Sequence, residues 1–238
     1  MKLVVVIPTF NAGRFLDPVV RRVIGSAGHE DLAVRIIDDG STDDTCMVAR
    51  DLAAADSRVG VITRVHNGGY GAAVKDGLQA ARELGADVVA CVHADGQYAP
   101  EELSRLLFRL KDFDLVQGSR VASGTALLGG MPLYKYIANR ALTGLGNRVL
   151  GAGLSDYFSG YLVYGSRALR EIHFASLSQS FDFDLEVIAC ARAQKLRVGE
   201  IPIPTHYGDE VSHLRPWKYG LAVLRVMWRY QRGHYHVR

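Results

Sequence analysis

Three short polar segments carry side chains suited to holding a phosphorylated ligand. Ile37-Asp38-Asp39-Gly40-Ser41-Thr42-Asp43-Asp44-Thr45 sets two adjacent carboxylates ahead of a glycine and a run of helix-capping side chains. A turn and an N-cap account for Gly40 to Thr45. Asp38 and Asp39 still need partners, and carboxylates at a strand end can accept hydrogen bonds from a nucleobase or from ribose hydroxyls. The second segment is His93-Ala94-Asp95-Gly96-Gln97. Alternate residues of an extended segment project to one side, so Asp95 and Gln97 would offer oxygen to one cation. Mg²⁺ and Mn²⁺ accept few protein oxygens and complete their shell with water and substrate phosphates, so two such ligands suffice. A polar strand-to-helix loop, with Pro100 opening the next helix, is the alternative. In the third, His66-Asn67-Gly68-Gly69-Tyr70-Gly71-Ala72-Ala73, a Gly-rich turn lets backbone N–H groups approach a ligand closely. It matches neither common glycine-rich phosphate motif, and tight packing explains it equally well.

These segments are positioned by a regular alternation of short apolar runs and longer helical patterns. Strands are expected at Leu3–Ile7, Ala33–Ile37, Val59–Thr63, Asp87–Val92 and Leu115–Gly118, and helices at Gly13–Ala27, Asp43–Ala55, Gly71–Leu84 and Pro100–Leu110. Such a βαβ series predicts an α/β fold: a single, mostly parallel sheet with helices on both faces. Ligands of these sheets bind beyond the carboxyl ends of the strands. Pro8–Asn11, Asp38–Thr42, His93–Gln97 and Ser119–Arg120 all fall at such ends. Further on come a Gly-rich loop (Ser123 to Gly130), a helix (Pro132 to Leu150), a strand (Gly160–Tyr164), a helix (Asp182–Lys195), a strand (Arg197–Ile203) and a terminal helix (Pro216–Arg232). Residues 1–215 are expected to form one catalytic domain, with 216–238 an amphipathic helix and tail.

The 238 residues are 48% hydrophobic and 22% charged, which excludes collagen, disorder and a disulfide scaffold. Twenty-eight basic residues against 25 acidic ones give a net charge of +3, with no nucleic-acid footprint. Cys46, Cys91 and Cys190 lack metal-ligand spacing and sit in apolar surroundings, as buried thiols of a reducing cytoplasm do. No stretch approaches the roughly 18 apolar residues of a spanning helix.

Taken in order, Pro8-Thr9-Phe10-Asn11, Asp38-Asp39-Gly40-Ser41, Asn67-Gly68-Gly69-Tyr70-Gly71, Ala94-Asp95-Gly96-Gln97 and Gly118-Ser119-Arg120 resemble the family 2 glycosyltransferases, particularly the polyprenyl-phosphate type. The likeness continues through Met131–Lys135, Asn139-Arg140, Ser159-Gly160-Tyr161, Glu186 and Gly199–Pro204. It implies a GT-A (Rossmann-like) fold that binds a nucleotide sugar and Mg²⁺ or Mn²⁺ and transfers a hexose with inversion. Carried over by position, Pro8, Phe10, Ile37 and Asp39 contact the nucleoside, and Ala94 and Asp95 line the diphosphate. Thr9, Asn11, Asp38, Asn67, Gly71 and His93 complete the donor site. Asp95 and Gln97 hold the metal, and Arg120 meets phosphate. Two positions depart from the family pattern: Ala12 stands where an acid is usual, and His93 replaces the first acid of Asp-x-Asp.

A sugar hydroxyl acceptor needs a general base, whereas a phosphate monoester is already ionised near neutral pH and needs only positioning. Asp156, in Ser155-Asp156-Tyr157-Phe158-Ser159-Gly160, is the candidate carboxylate, as base or as orienting group, with a plain loop aspartate as the alternative. Lys135 and Arg140 are candidates to bind an acceptor phosphate. On the terminal helix, Lys218, Arg225, Arg229 and Arg232 share one face and Trp217, Leu221, Leu224 and Trp228 another. Either a membrane surface or a second copy of the chain would cover the apolar face. The expected activity is hexose transfer from a GDP- or UDP-sugar to a polyprenyl phosphate at the inner face of the membrane. Transfer to a saccharide or other hydroxyl, and a catalytically degenerate nucleotide-sugar binding subunit, are the alternatives. Thr205–Ser212 is a polar loop expected to close over the site.

Overall fold

The computed structural model describes residues 1–26, 28, 31–124, 126–204 and 216–236. The strands are β1 (Leu3–Thr9), β2 (Leu32–Asp38), β3 (Val59–Thr63), β4 (Val88–Cys91), β5 (Leu115–Ser119), β6 (Leu162–Tyr164) and β7 (Val198–Pro202). Among the described residues they form one seven-stranded sheet in the order β3-β2-β1-β4-β6-β5-β7. All pairings are parallel except the two made by β6, which runs antiparallel to β4 and β5. Every residue of β1 is buried, because this central strand is covered on both faces. Its side chains alternate between two cores: Val4 and Val6 pack into one, Leu3, Val5 and Ile7 into the other.

The second core is closed by α1 (Gly13–Ser26), α2 (Thr45–Ala55) and α4 (Leu103–Arg109) through Leu16, Val20, Ala49, Leu52 and Leu106. On the opposite face lie α3 (Tyr70–Glu83), α5 (Leu133–Leu150), α6 (Ser166–Glu171), α7 (Phe183–Ala193) and α8 (Pro216–Gln231). Helix α7 is buried along nearly its whole length. The short α6, absent from the periodicity reading, covers this core with Ala168. The polar loop expected at 205–212 lies outside the described residues.

Helix α8 is part of this core rather than an appendage. Val223, Val226 and Met227 pack in the core beside α5 and α7. Buried Glu186 on α7 accepts hydrogen bonds from Tyr235 Oη (2.6 Å), Arg229 Nη1 (3.0 Å) and the Ser178 backbone N–H (2.6 Å). Arg229 therefore leaves the cationic stripe expected of it and turns inward. Trp217, Leu221, Leu224 and Trp228 stay exposed, flanked by Lys218, Arg225 and Arg232. No helix among the described residues is long and apolar enough to cross a membrane.

Chain order reverses beside β1: β2 and β3 extend the sheet to one side, β4 begins the other. Loops leaving β1 and β4 therefore part in opposite directions and open a crevice at their carboxyl ends. The segments after β1 and β4 are Pro8–Asn11 and His93–Gln97.

Candidate active site

A cleft of about 620 Å³ opens at this switch point. Pro8, Thr9, Phe10, Asn11, Asp39, Asn67, His93, Ala94, Asp95, Gln97 and Arg120, drawn from five separate stretches of sequence, all line it. Asn11 adopts a left-handed backbone (φ 49°), a conformation asparagine tolerates. There its Oδ1 accepts the Thr42 backbone N–H at 2.8 Å, and its own N–H donates to Ser41 Oγ at 3.0 Å. The loops after β1 and β2 are thereby tied into one wall.

Asp39 is buried, and its two carboxylate oxygens accept the backbone N–H groups of Gly68 and Gly69, each at 2.9 Å. Arg64 adds an ion pair at 3.0 Å. The carboxylate thus holds the glycine-rich turn while facing the cleft. Three expected donor-site residues are absent from the wall. Ile37 points into the core. Asp38 is buried and caps the turn by accepting the Ser41 N–H at 3.0 Å. Gly71 packs against the loop before α7, where a Cβ would lie 2.5 Å from the Ser178 carbonyl. Its smallness serves close packing, against the segment before α7 and Phe183 rather than the first strands that the sequence suggested.

Asp95 and Gln97 do not alternate along an extended strand. Gly96 has φ +74°, so the segment turns, and Asp95 Oδ1 accepts the Gln97 backbone N–H at 3.0 Å. Both side chains nevertheless reach the cleft. Among the described residues no group of three His, Cys, Asp or Glu side chains is placed to hold a metal. An all-protein cage therefore does not fit, whereas a hard cation taking one carboxylate, one amide oxygen and substrate phosphates does. His93 is a poor third ligand: its Nε2 lies 3.0 Å from Tyr70 Oη, and its ring sits between Tyr70 and Tyr98, with centroids 5.1 and 5.0 Å away. Burial lowers its pKa and keeps the ring neutral, outweighing the attraction of Asp95.

Arg120 lies at the far wall, its guanidinium held by the Phe158 carbonyl (2.7 Å) and by Asp156 Oδ2 (3.4 Å). Asp156 is fully buried, and its Oδ1 accepts Asn139 Nδ2 and the Phe158 N–H, both at 2.9 Å. It stands behind Arg120, enclosed by donors, and does not line the cleft. That geometry suits an orienting group and not a base for a bound hydroxyl. Lys135 and Arg140 are also off the cleft wall. Arg140 instead borders a separate recess of about 280 Å³ with Ser155 and Glu200.

Several lining residues went unassigned in the sequence: Arg14, Phe15, Tyr70, Tyr98, Phe158, Phe181, Asp184 and Tyr219. Arg14 lies over the Phe15 ring at 4.2 Å, and Phe181 stacks on Tyr70 at 5.8 Å. Tyr70 and Phe158 sit inside motifs quoted for other residues, a signal that was present. Asp184 and Tyr219 lie on helices whose pattern reads only as amphipathic.

Residues 4–173 match the family model described as glycosyl transferase family 2. The polyprenol monophosphomannose synthase of Mycolicibacterium smegmatis is 32% identical over 205 residues, covering 85% of this chain and 76% of that protein. The undecaprenyl-phosphate mannosyltransferase of Micrococcus luteus is 31% identical, with 85% and 83% covered. A Methanococcus voltae UDP-N-acetylglucosamine–dolichyl-phosphate N-acetylglucosaminyltransferase is 28% identical, with 86% and 85% covered. The crystal structure of glucosyl-3-phosphoglycerate synthase from Mycobacterium tuberculosis, with Mn²⁺, UDP and product, superimposes with a TM-score of 0.70 at 14% identity, covering 100% of this chain and 81% of that one. The matched stretch holds most of the cleft-lining segments at the carboxyl ends of the sheet: the chain is a GT-A-fold glycosyltransferase and belongs to glycosyltransferase family 2.

Proposed function

We propose that the chain transfers a hexose, with inversion and with a divalent metal, from a GDP- or UDP-sugar to a polyprenyl phosphate. The observation that carries this reading is the order of cleft-lining groups across the strand ends: Asn67 after β3 and Asp39 after β2, then Asp95 and Gln97 after β4, then Arg120 after β5. A nucleoside, a diphosphate and a second phosphate need such a series. The acceptor class rests on the similarity to relatives named for polyprenyl, undecaprenyl and dolichyl phosphates. Those relatives differ in the sugar they are named for, so the hexose is left open.

In the transfer, negative charge builds on the departing diphosphate and positive charge on the anomeric carbon. Mg²⁺ or Mn²⁺, held by Asp95 and Gln97, supplies cationic charge to the leaving group when bound. Arg120 adds a fixed positive charge, and Asp156 aims it. The neutral His93 spares the diphosphate a second nearby anion. A phosphate acceptor arrives ionised, which agrees with Asp156 being walled off from any substrate proton. Contact with the membrane surface through the exposed face of α8 would bring the cleft to a lipid-borne acceptor.

The test is a panel of GDP- and UDP-sugars assayed with Mn²⁺ and a short polyprenyl phosphate. Transfer from one nucleotide sugar, lost when the phosphate is replaced by the free alcohol, is the expected result. Transfer to the free alcohol or to saccharides at equal rate would refute the acceptor assignment. Nucleotide-sugar binding without any transfer would favour a binding subunit.

A further inference from the structure

Among the described residues that line the cleft, Asp184, in the first turn of α7, is the one carboxylate that the mechanism above does not use. It is 7% exposed, it lines the cleft, and its Oδ1 has no hydrogen-bond partner among the described residues. The titratable groups facing it are Tyr70 from α3, Cys91 from β4, Tyr164 from β6 and Tyr219 from α8. All four are phenols or a thiol, so among the described residues no cation offsets its charge. Tyr70 beside it meets His93 Nε2 through its Oη at 3.0 Å. Gly160 makes room for this chain, since a Cβ there would strike the His93 ring and lie 2.9 Å from Tyr70 Oη. A buried carboxyl group with no cation and no hydrogen-bond partner for Oδ1 among the described residues costs stability, and such groups persist at functional sites.

The cleft itself selects the ligand. Strand order β2-β1-β4-β6 sets Asp39 at the end of β2 and Asp95 beyond β4, with Asp184 near enough to β4 and β6 for its charge to raise the pKa of Cys91 and Tyr164. At about 4.8 Å per strand, that order matches a nucleotide sugar laid across the strand ends: nucleoside first, diphosphate over Asp95, sugar next. A phosphate would be repelled by Asp184, and an isoprenoid chain has no hydrogen to donate. Hydroxyl groups can satisfy it. The aromatic side chains of Phe181, Tyr219 and Phe158 line the same part of the cleft and give a pyranose ring apolar faces to lie on. We propose that Asp184 binds a hydroxyl of the donor's hexose through its carboxyl group and so reads the sugar that is transferred. The assignment rests on the nucleotide-sugar reading of the cleft.

Calorimetry with UDP, UDP-glucose, GDP and GDP-mannose, each with Mn²⁺, tests it on the whole chain and on Asp184→Asn and Asp184→Leu. The expected result is a nucleoside diphosphate affinity within about twofold of the parent in both variants. The matching nucleotide sugar should weaken by about tenfold or more in Asp184→Leu and less in Asp184→Asn, the loss typical of a hydrogen bond to a charged group. Melting temperatures at pH 8 should equal or exceed the parent's, because an uncompensated carboxylate is removed. A lower melting temperature would make Asp184 a structural residue and overturn the assignment. So would unchanged nucleotide-sugar binding in Asp184→Leu, or equal losses for diphosphate and nucleotide sugar. If the parent chain binds none of the four, the nucleotide-sugar reading itself falls and takes this one with it.

Discussion

At the scale of single residues, the cleft separates carboxylates by what already holds them. Asp95 keeps an oxygen toward the cleft after accepting the Gln97 N–H, and Asp95→Asn removes the only full charge offered to the metal by the 93–97 turn. Transfer is expected to fall by about a hundredfold or more, the scale of losing one transition-state charge stabiliser, with an unchanged melting temperature; initial rates across a Mn²⁺ titration check it. Asp156 is the opposite case, because three donors converge on it. Asp156→Asn leaves Asn139 and Arg120 poorly matched in a buried site, so it should cost about 1–3 kcal/mol of stability and lower kcat by misaiming Arg120. Since no substrate proton is assigned to Asp156, the pH profile of kcat should keep its shape in that variant. Loss of a titrating limb would instead return the base role to it.

At the scale of elements, α8 presents two different faces. Its inner face supplies Val223, Val226 and Met227 to the core and brings Arg229, followed by Tyr235 beyond the helix, to Glu186. Glu186→Ala strips the shared acceptor from three donors, one of them charged; a loss of about 3–5 kcal/mol is expected, read as a lower denaturation midpoint in urea. The outer face stays exposed. Lys218 and Arg232 lie over Trp217 and Trp228 at 5.5 and 5.3 Å, which combines apolar and cationic groups suited to an anionic lipid surface. Replacing Trp217 and Trp228 by Ser should abolish flotation with anionic vesicles without lowering the melting temperature, because both side chains are exposed. Truncation before Trp217 would not separate these roles, since it also removes core residues.

At the scale of the whole molecule, stability should depend on pH through Asp184. Burial raises its pKa to about 7 from an ordinary value of 3.8. The folded state then binds the proton more tightly than the unfolded one, so stability falls as pH rises from about 4 to 7. Melting temperatures of the parent and Asp184→Asn should therefore converge near pH 4 and diverge, with the variant higher, toward pH 8. Much of this architecture is readable from local patterns. Alternating apolar runs dictate strands and helices, because each strand residue faces one of two cores, and turn-forming polar segments at strand ends follow from the same alternation. Residues such as Asn11, Asp39, Asp95 and Arg120 could thus be placed at the cleft edge of the sheet before any coordinates. Asp156 and Asp184 could not be told apart that way, nor could Arg229 be separated from its cationic neighbours. Whether a carboxylate is enclosed by donors or left facing a cleft depends on partners distant in sequence: Asn139 and Arg120 for Asp156, and α3, β4, β6 and α8 around Asp184. Residue types and spacing determine which chemical groups the chain can present at the carboxyl edge of its sheet. Packing across the sheet decides which of them remain unsatisfied, because burial and hydrogen bonding are set only when separated segments meet.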